Sequence, residues 1–147
     1  EGREMGMAFD EVVDCSNSHA LFSSVVLNAP KTGASKTPLV QFSSCSINEG
    51  KTAKEANMAH KAFSDFMIGK GGQSASWTLW PALGAGDIDF EYFAVSAYES
   101  YAQLGTAFEA YANGGGWQKV RDELYNVVTC DEPRLYNGRL VLDGSGN

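Results

Sequence analysis

The stretch Ser74–Ser96, SASWTLWPALGAGDIDFEYFAVS, decides the fold. Its first part, Ser74–Trp80, sets Ala75, Trp77 and Leu79 on one face and Ser76, Thr78 and Trp80 on the other, the two-residue period of a strand. Pro81 is expected to end that strand, and Pro81–Gly86 to form a glycine-containing loop. Asp87–Ser96 reads as a second strand, so the stretch is a hairpin with a long loop.

The neighbours of the hairpin complete a unit. Leu39–Ile47 (LVQFSSCSI) is a strand by its β-branched and aromatic content. Thr52 and Glu55 have the spacing of a capping box, Ala56, Ala59, Phe63, Phe66 and Met67 recur at helical intervals, and Gly69, Gly71 and Gly72 close the helix. Beyond the hairpin, Ser100 is placed to cap a helix with Tyr101, Leu104, Phe108 and Tyr111 on one stripe. Gly114–Gly116 interrupts it, a further helical piece carries Trp117, Val120 and Leu124, and Arg134–Leu142 is the final strand. From residue 38 the order is βαββαβ, an α+β, ferredoxin-like antiparallel sheet with the helices on one face. The other face carries Trp, Phe and Tyr and needs a cover, because so much exposed aromatic surface invites association.

Residues 1–37 read differently. Residues 1–13 suit the end of a helix, Leu21–Leu27 a short strand, and Asn28–Pro38 (NAPKTGASKTP) a linker. Shifting the chain by 115 residues aligns Val12, Val13, Cys15, Val26 and Leu27 with Val127, Val128, Cys130, Val141 and Leu142, five identities in sixteen positions. The expectation is a tandem repeat in which residues 1–37 are the C-terminal remnant of a preceding unit plus linker, with residues 38–147 the complete domain. On that expectation the chain is truncated at its amino end.

Composition narrows the function. Eleven Lys and Arg against eighteen Asp and Glu give a formal charge of −7, which opposes tracking a phosphate backbone, so no nucleic-acid partner is expected. No apolar run reaches the roughly 20 residues of a membrane-spanning helix, and no membrane partner is expected. Cys15, Cys45 and Cys130 are too widely spaced for a local redox or zinc pair, and no metal site is expected. Three reduced, buried thiols are one reading. In the other, the ferredoxin-like order 4-1-3-2 brings the entrance of the last strand, Cys130, beside the exit of the first, Cys45. That Cys45–Cys130 disulfide would imply an oxidising, extracytoplasmic compartment, and free thiols a cytoplasmic one.

The βαββαβ unit, with its aromatic hairpin and aromatic second helix, resembles the dimeric α+β barrel superfamily over residues 38–142. That group includes the antibiotic biosynthesis monooxygenase-like and NIPSNAP-like families, and the unit is also similar to ferredoxin-like proteins known from marine environmental sequences. The resemblance implies two sheets packed face to face, from a homodimer or from tandem repeats as a pseudo-dimer. Monooxygenase and haem-degrading members use Asn, Trp and His around a cleft between helices and sheet. Asn57, His60, Trp77 and Trp80 supply those residue types as candidate ligand-binding residues, without a local motif that assigns roles.

His60 shares one side of its helix with Asn57 and Ser64, away from the Ala59/Phe63/Phe66 stripe. That side is either a solvated polar face or the mouth of a cleft, where His60 would move a proton or ligate a haem iron. His19 falls in a loop. Trp77 and Trp80, three apart on a strand, point to opposite faces. Asp87, Asp89 and Glu91 alternate along the third strand as a solvated face, an acid pair or a calcium site. Neither Gly69–Gly72 nor Gly114–Gly116 has a phosphate-loop context, and no Gly-x-Ser-x-Gly occurs. Three functions follow as expectations: a module binding a small apolar ligand, an oxygenase working without a cofactor or with haem, and a pairing module without ligand.

Overall fold

The computed structural model describes residues 21–30, 35–84 and 87–139. The helix end over 1–13, Cys15, His19 and most of the repeat's first segment lie outside the described residues. Six strands, β1 (Leu21–Asn28), β2 (Leu39–Ile47), β3 (Ala75–Leu83), β4 (Tyr92–Tyr98), β5 (Val128–Cys130) and β6 (Arg134–Asn137), form one antiparallel sheet. The spatial order is β1-β3-β4-β2-β5, with β6 also on β2. Counted from β2, this is the ferredoxin-like order, extended at the β3 edge by β1. The α+β fold is as the element order predicts.

Helix α1 (Ala53–Gly69) begins at the expected capping box: the Thr52 hydroxyl accepts from Glu55 N, and the Glu55 carboxylate accepts from Thr52 N. It ends in a Schellman turn, with Gly72 N donating to Met67 O and Gly71 N to Ile68 O. Gly71 has φ +72°, a conformation a Cβ disfavours. Helix α2 (Tyr101–Ala112) is capped by Ser100, and α3 (Gly116–Lys119) continues into a π-helical turn over Val120–Leu124.

The helices meet one face of the sheet in two apolar clusters. Cys45, Tyr92 and Val128 pack with Ala56, Val120 and Leu124, while Leu39 and Tyr98 pack with Met67, Ala107 and Ala110. The opposite face carries connected rings: Phe93 lies 5.4 Å from Phe22, 6.0 Å from Phe42 and 4.4 Å from Phe90, and Phe42 lies 5.8 Å from Tyr136. Register puts Trp77 and Leu79 on this helix-free face, opposite Val95 and Phe93.

Four expectations about local structure are corrected. β3 runs through Pro81 to Leu83, because β1 pairs with it there, Phe22 opposite Pro81 and Leu21 opposite Leu83, beyond the end of the β4 pairing at Leu79. β4 starts at Tyr92, so Asp87, Asp89 and Glu91 precede the strand; the Glu91 carboxylate accepts from Ile47 N, and Glu91 N donates to Cys45 O. The final strand is two pieces, β5 and β6, rather than Arg134–Leu142. Cys45 faces Cys130 but Phe42 faces Arg134, so Asp131–Pro133 carries one residue more than Ser43–Ser44, a bulge that Asp131 ties down through Ser44 N. On α2 the buried residues are Ala107 and Ala110, whereas Tyr101 and Phe108 are about two-thirds exposed. The cause is close approach: a Cβ on Gly72 would lie 2.8 Å from the Ala107 Cα, so only a small side chain fits there.

Cys45 and Cys130 are directly opposed and joined by a disulfide, with Cα atoms 4.0 Å apart and a sequence separation of 85. Constraining so long a loop in the unfolded chain contributes about 4 to 5 kcal/mol on the chain-entropy account. The double variant Cys45→Ala/Cys130→Ala is therefore expected to lose stability of that order in urea titration. A loss below about 1 kcal/mol would contradict it.

Candidate functional site

Helix α1 presents an unusual face to the sheet. Its buried residues are Ala56, His60, Ser64 and Met67, so the polar side carrying Asn57, His60 and Ser64 is turned inward. This corrects the solvated-face reading for His60 and Ser64, which are buried. The polar groups are tolerated because β3 and β4 supply partners for them.

The pairs form a seam. Thr78 Oγ1 donates to Asn57 Oδ1 at 2.7 Å and accepts from Trp80 Nε1 at 3.0 Å. The Ser64 and Ser76 hydroxyls are 2.6 Å apart, and Ser64 Oγ also accepts from Gln73 Nε2 and Asn28 Nδ2. His60 Nε2 lies 2.9 Å from the Tyr92 hydroxyl, and Trp80 stacks on Tyr92 at 4.2 Å. Among the described residues, no buried side-chain nitrogen or oxygen lacks a partner. A ring nitrogen of His60 and the sulfurs of Cys45 and Cys130 all lie within 4.8 Å of one another.

Burial sets the protonation of this seam. Loss of hydration pushes the His60 pKa down to about 4, so the imidazole is neutral near pH 7. Burial first, and the nearby Glu91 charge second, push the Tyr92 hydroxyl above the ordinary phenol range. A neutral, enclosed imidazole is not poised to take a proton from a bound substrate. A haem iron would likewise have to reach a ring that is only 7% exposed and held by the Tyr92 hydroxyl.

Asn57, His60 and Trp80 therefore come together, and Trp77 stands apart on the helix-free face. Asn57 is half-buried and borders an open groove of about 630 Å³ between α1 and β1. Val26, Leu27, Ala53, Met58 and Ala62 make most of its wall. Lys61 and Asp65 also line it and pair with each other at 2.6 Å. A smaller depression of about 510 Å³ between Lys70 and the Gly105–Gly114 side of α2 holds none of the nominated residues. Sequence reasoning passed over Ser76, Thr78 and Tyr92. The available signal was the pair of hydroxyls at alternate positions of an otherwise apolar strand.

No family model matches the chain, and no curated protein matches it. Among solved structures, the fold is similar to that of SnoaB, a cofactor-independent oxygenase from Streptomyces nogalater, with a TM-score of 0.51 at 15% identity. The match covers 73% of this chain and 98% of that one, and at this identity the likeness is one of fold.

The lowered His60 pKa has a definite sign. Between pH 6.5 and about 4 the unfolded chain takes up a proton at His60 that the folded chain does not, so stability falls as pH drops through that window. The full contribution, on the order of 3 kcal/mol, is present above pH 6.5. Urea titrations at pH 7.5 and 4.5 should show this loss, and His60→Gln should reduce it. An unchanged pH dependence in the variant would refute the assignment.

Proposed function

We propose that the domain is a small-molecule-binding module of α+β barrel architecture whose ligand lies in the groove between α1 and β1. The observation that carries this reading is the groove itself. It leaves Val26 and Met58 more than half exposed and leads to the Asn57 amide, which is anchored from behind by Thr78 and Trp80. Mostly apolar walls with a few placed polar groups are the usual composition of a ligand site. The ligand is small and mainly apolar, with one polar group met by Asn57. Trp80 sits behind Asn57 as part of the seam rather than as a stacking wall.

The aromatic helix-free face completes the proposal: a second copy of the chain packs its own sheet against Phe42, Trp77, Leu79 and Phe93, forming a homodimeric barrel. A tandem repeat would make the same contact as a pseudo-dimer. The disulfide favours an oxidising, extracytoplasmic compartment. The fold-level likeness to SnoaB supports oxygenase activity as a second reading. Against it stands His60, whose buried neutral ring offers a substrate no accessible base. A purely structural pairing module remains the outcome if the groove binds nothing.

Three measurements separate these functions. 1-Anilinonaphthalene-8-sulfonate is expected to bind saturably at one site, and Ala62→Trp, which fills the groove, to weaken it at least about tenfold. Binding that ignores the substitution would move the site elsewhere and defeat the proposal. Oxygen uptake with an electron-rich phenol such as 1-naphthol is expected to stay at the protein-free rate, and a saturable increase would favour the oxygenase. Sedimentation equilibrium should give a dimer for the native chain and a monomer for Leu79→Arg with unchanged circular dichroism; a native monomer would reject the pairing.

A further inference from the structure

We infer that the reduced protein holds a buried metal site of the zinc class, built from Cys45, Cys130 and His60. The three residues come from β2, β5 and α1, and their ligand atoms already lie within 4.8 Å of one another. Directly opposed strand positions keep the two sulfurs together once their bond is broken, because the ladder itself holds Cys45 against Cys130. His60 is fixed by its contact with the Tyr92 hydroxyl, the outer-shell arrangement that orients a ligating imidazole.

Charge and donor type both select the ion. Two thiolates and a neutral imidazole suit zinc, and a dication with two thiolates makes a neutral complex. A neutral complex is the form that the surrounding Ala56, Val120, Leu124 and Val128 tolerate, since burying net charge is costly. Cys130 is only partly buried, which gives an ion a way in. Three protein ligands leave one tetrahedral position for water.

The chemistry balances with a dithiol reductant. It gives two electrons and two protons to the Cys45–Cys130 bond and becomes a disulfide itself. Zinc binding then forms two Zn–S bonds and one Zn–N bond and releases both thiol protons to solvent. Disulfide and metal therefore exclude each other, and each cross-links β2 to β5. No spacing along the sequence nominates this site, because the two cysteines are 85 residues apart and meet only through strand pairing.

The test uses the full chain carrying Cys15→Ser, so that no third thiol contributes. Cobalt(II) is expected to bind at one equivalent only after reduction, with thiolate-to-cobalt absorption that zinc abolishes. X-ray absorption of the zinc-loaded reduced protein should show two sulfurs and an imidazole nitrogen. If the reduced, metal-free chain unfolds, zinc should restore the circular dichroism of the oxidised protein. The inference is overturned by a folded reduced protein that gives no thiolate-to-cobalt absorption. It is equally overturned by a zinc shell lacking imidazole or holding other than two sulfurs, or by zinc that leaves an unfolded reduced chain unfolded.

Discussion

Helix α1 is held to the sheet by a row of hydrogen bonds between side chains that would each be destabilising alone. A buried hydroxyl, amide or imidazole without a partner costs on the order of 1 to 3 kcal/mol, so the helix can sit only where Asn57, His60 and Ser64 meet Thr78, Tyr92 and Ser76 together. That requirement fixes the rotation of α1 and its position along β3 and β4. Apolar packing alone would tolerate a sliding helix. The seam also orients His60 and Asn57, whose ring and amide are held by Tyr92 and Thr78.

On the proposed reading the ligand site therefore lies at the margin of the domain, in the groove beside α1. The residues that a monooxygenase-like reading would place around a reactive cleft are present, but His60 and Trp80 are occupied with Tyr92 and Thr78. Asn57 alone reaches an open groove. The fold is similar to that of SnoaB, while His60, Ser64, Thr78 and Tyr92 are hydrogen-bonded within the domain. Directly beside that seam, the Cys45–Cys130 bond fastens the interior strand β2 to the edge strand β5.

Much of this architecture was legible in the sequence, for local reasons. The Thr52/Glu55 box, the Ser100 cap, the glycine stop after Met67 and the alternation in Ser74–Trp80 are signals contained within a few residues. Their order placed Cys45 beside Cys130 because strand order in this fold is set by topology. What escaped depends on residues distant in the chain. His60 looks like a surface histidine until Tyr92, 32 residues on, is placed beneath it. Phe108 looks like core until Gly72 brings a loop against Ala107 and leaves room only for small side chains. The bulge at Asp131–Pro133 follows from a register mismatch between two strands, which one strand's sequence does not display.

The central claim is that His60 and Ser64 on α1 belong to a buried, hydrogen-bonded seam rather than to a solvated face. The direct test is a pH titration of the His60 imidazole by 15N NMR. The account predicts a neutral ring in a single tautomer whose nitrogen shifts stay constant from pH 8 to pH 6, consistent with a pKa of about 4. A titration midpoint near the ordinary value of about 6.5, or two tautomers in exchange, would show a ring open to solvent and contradict it.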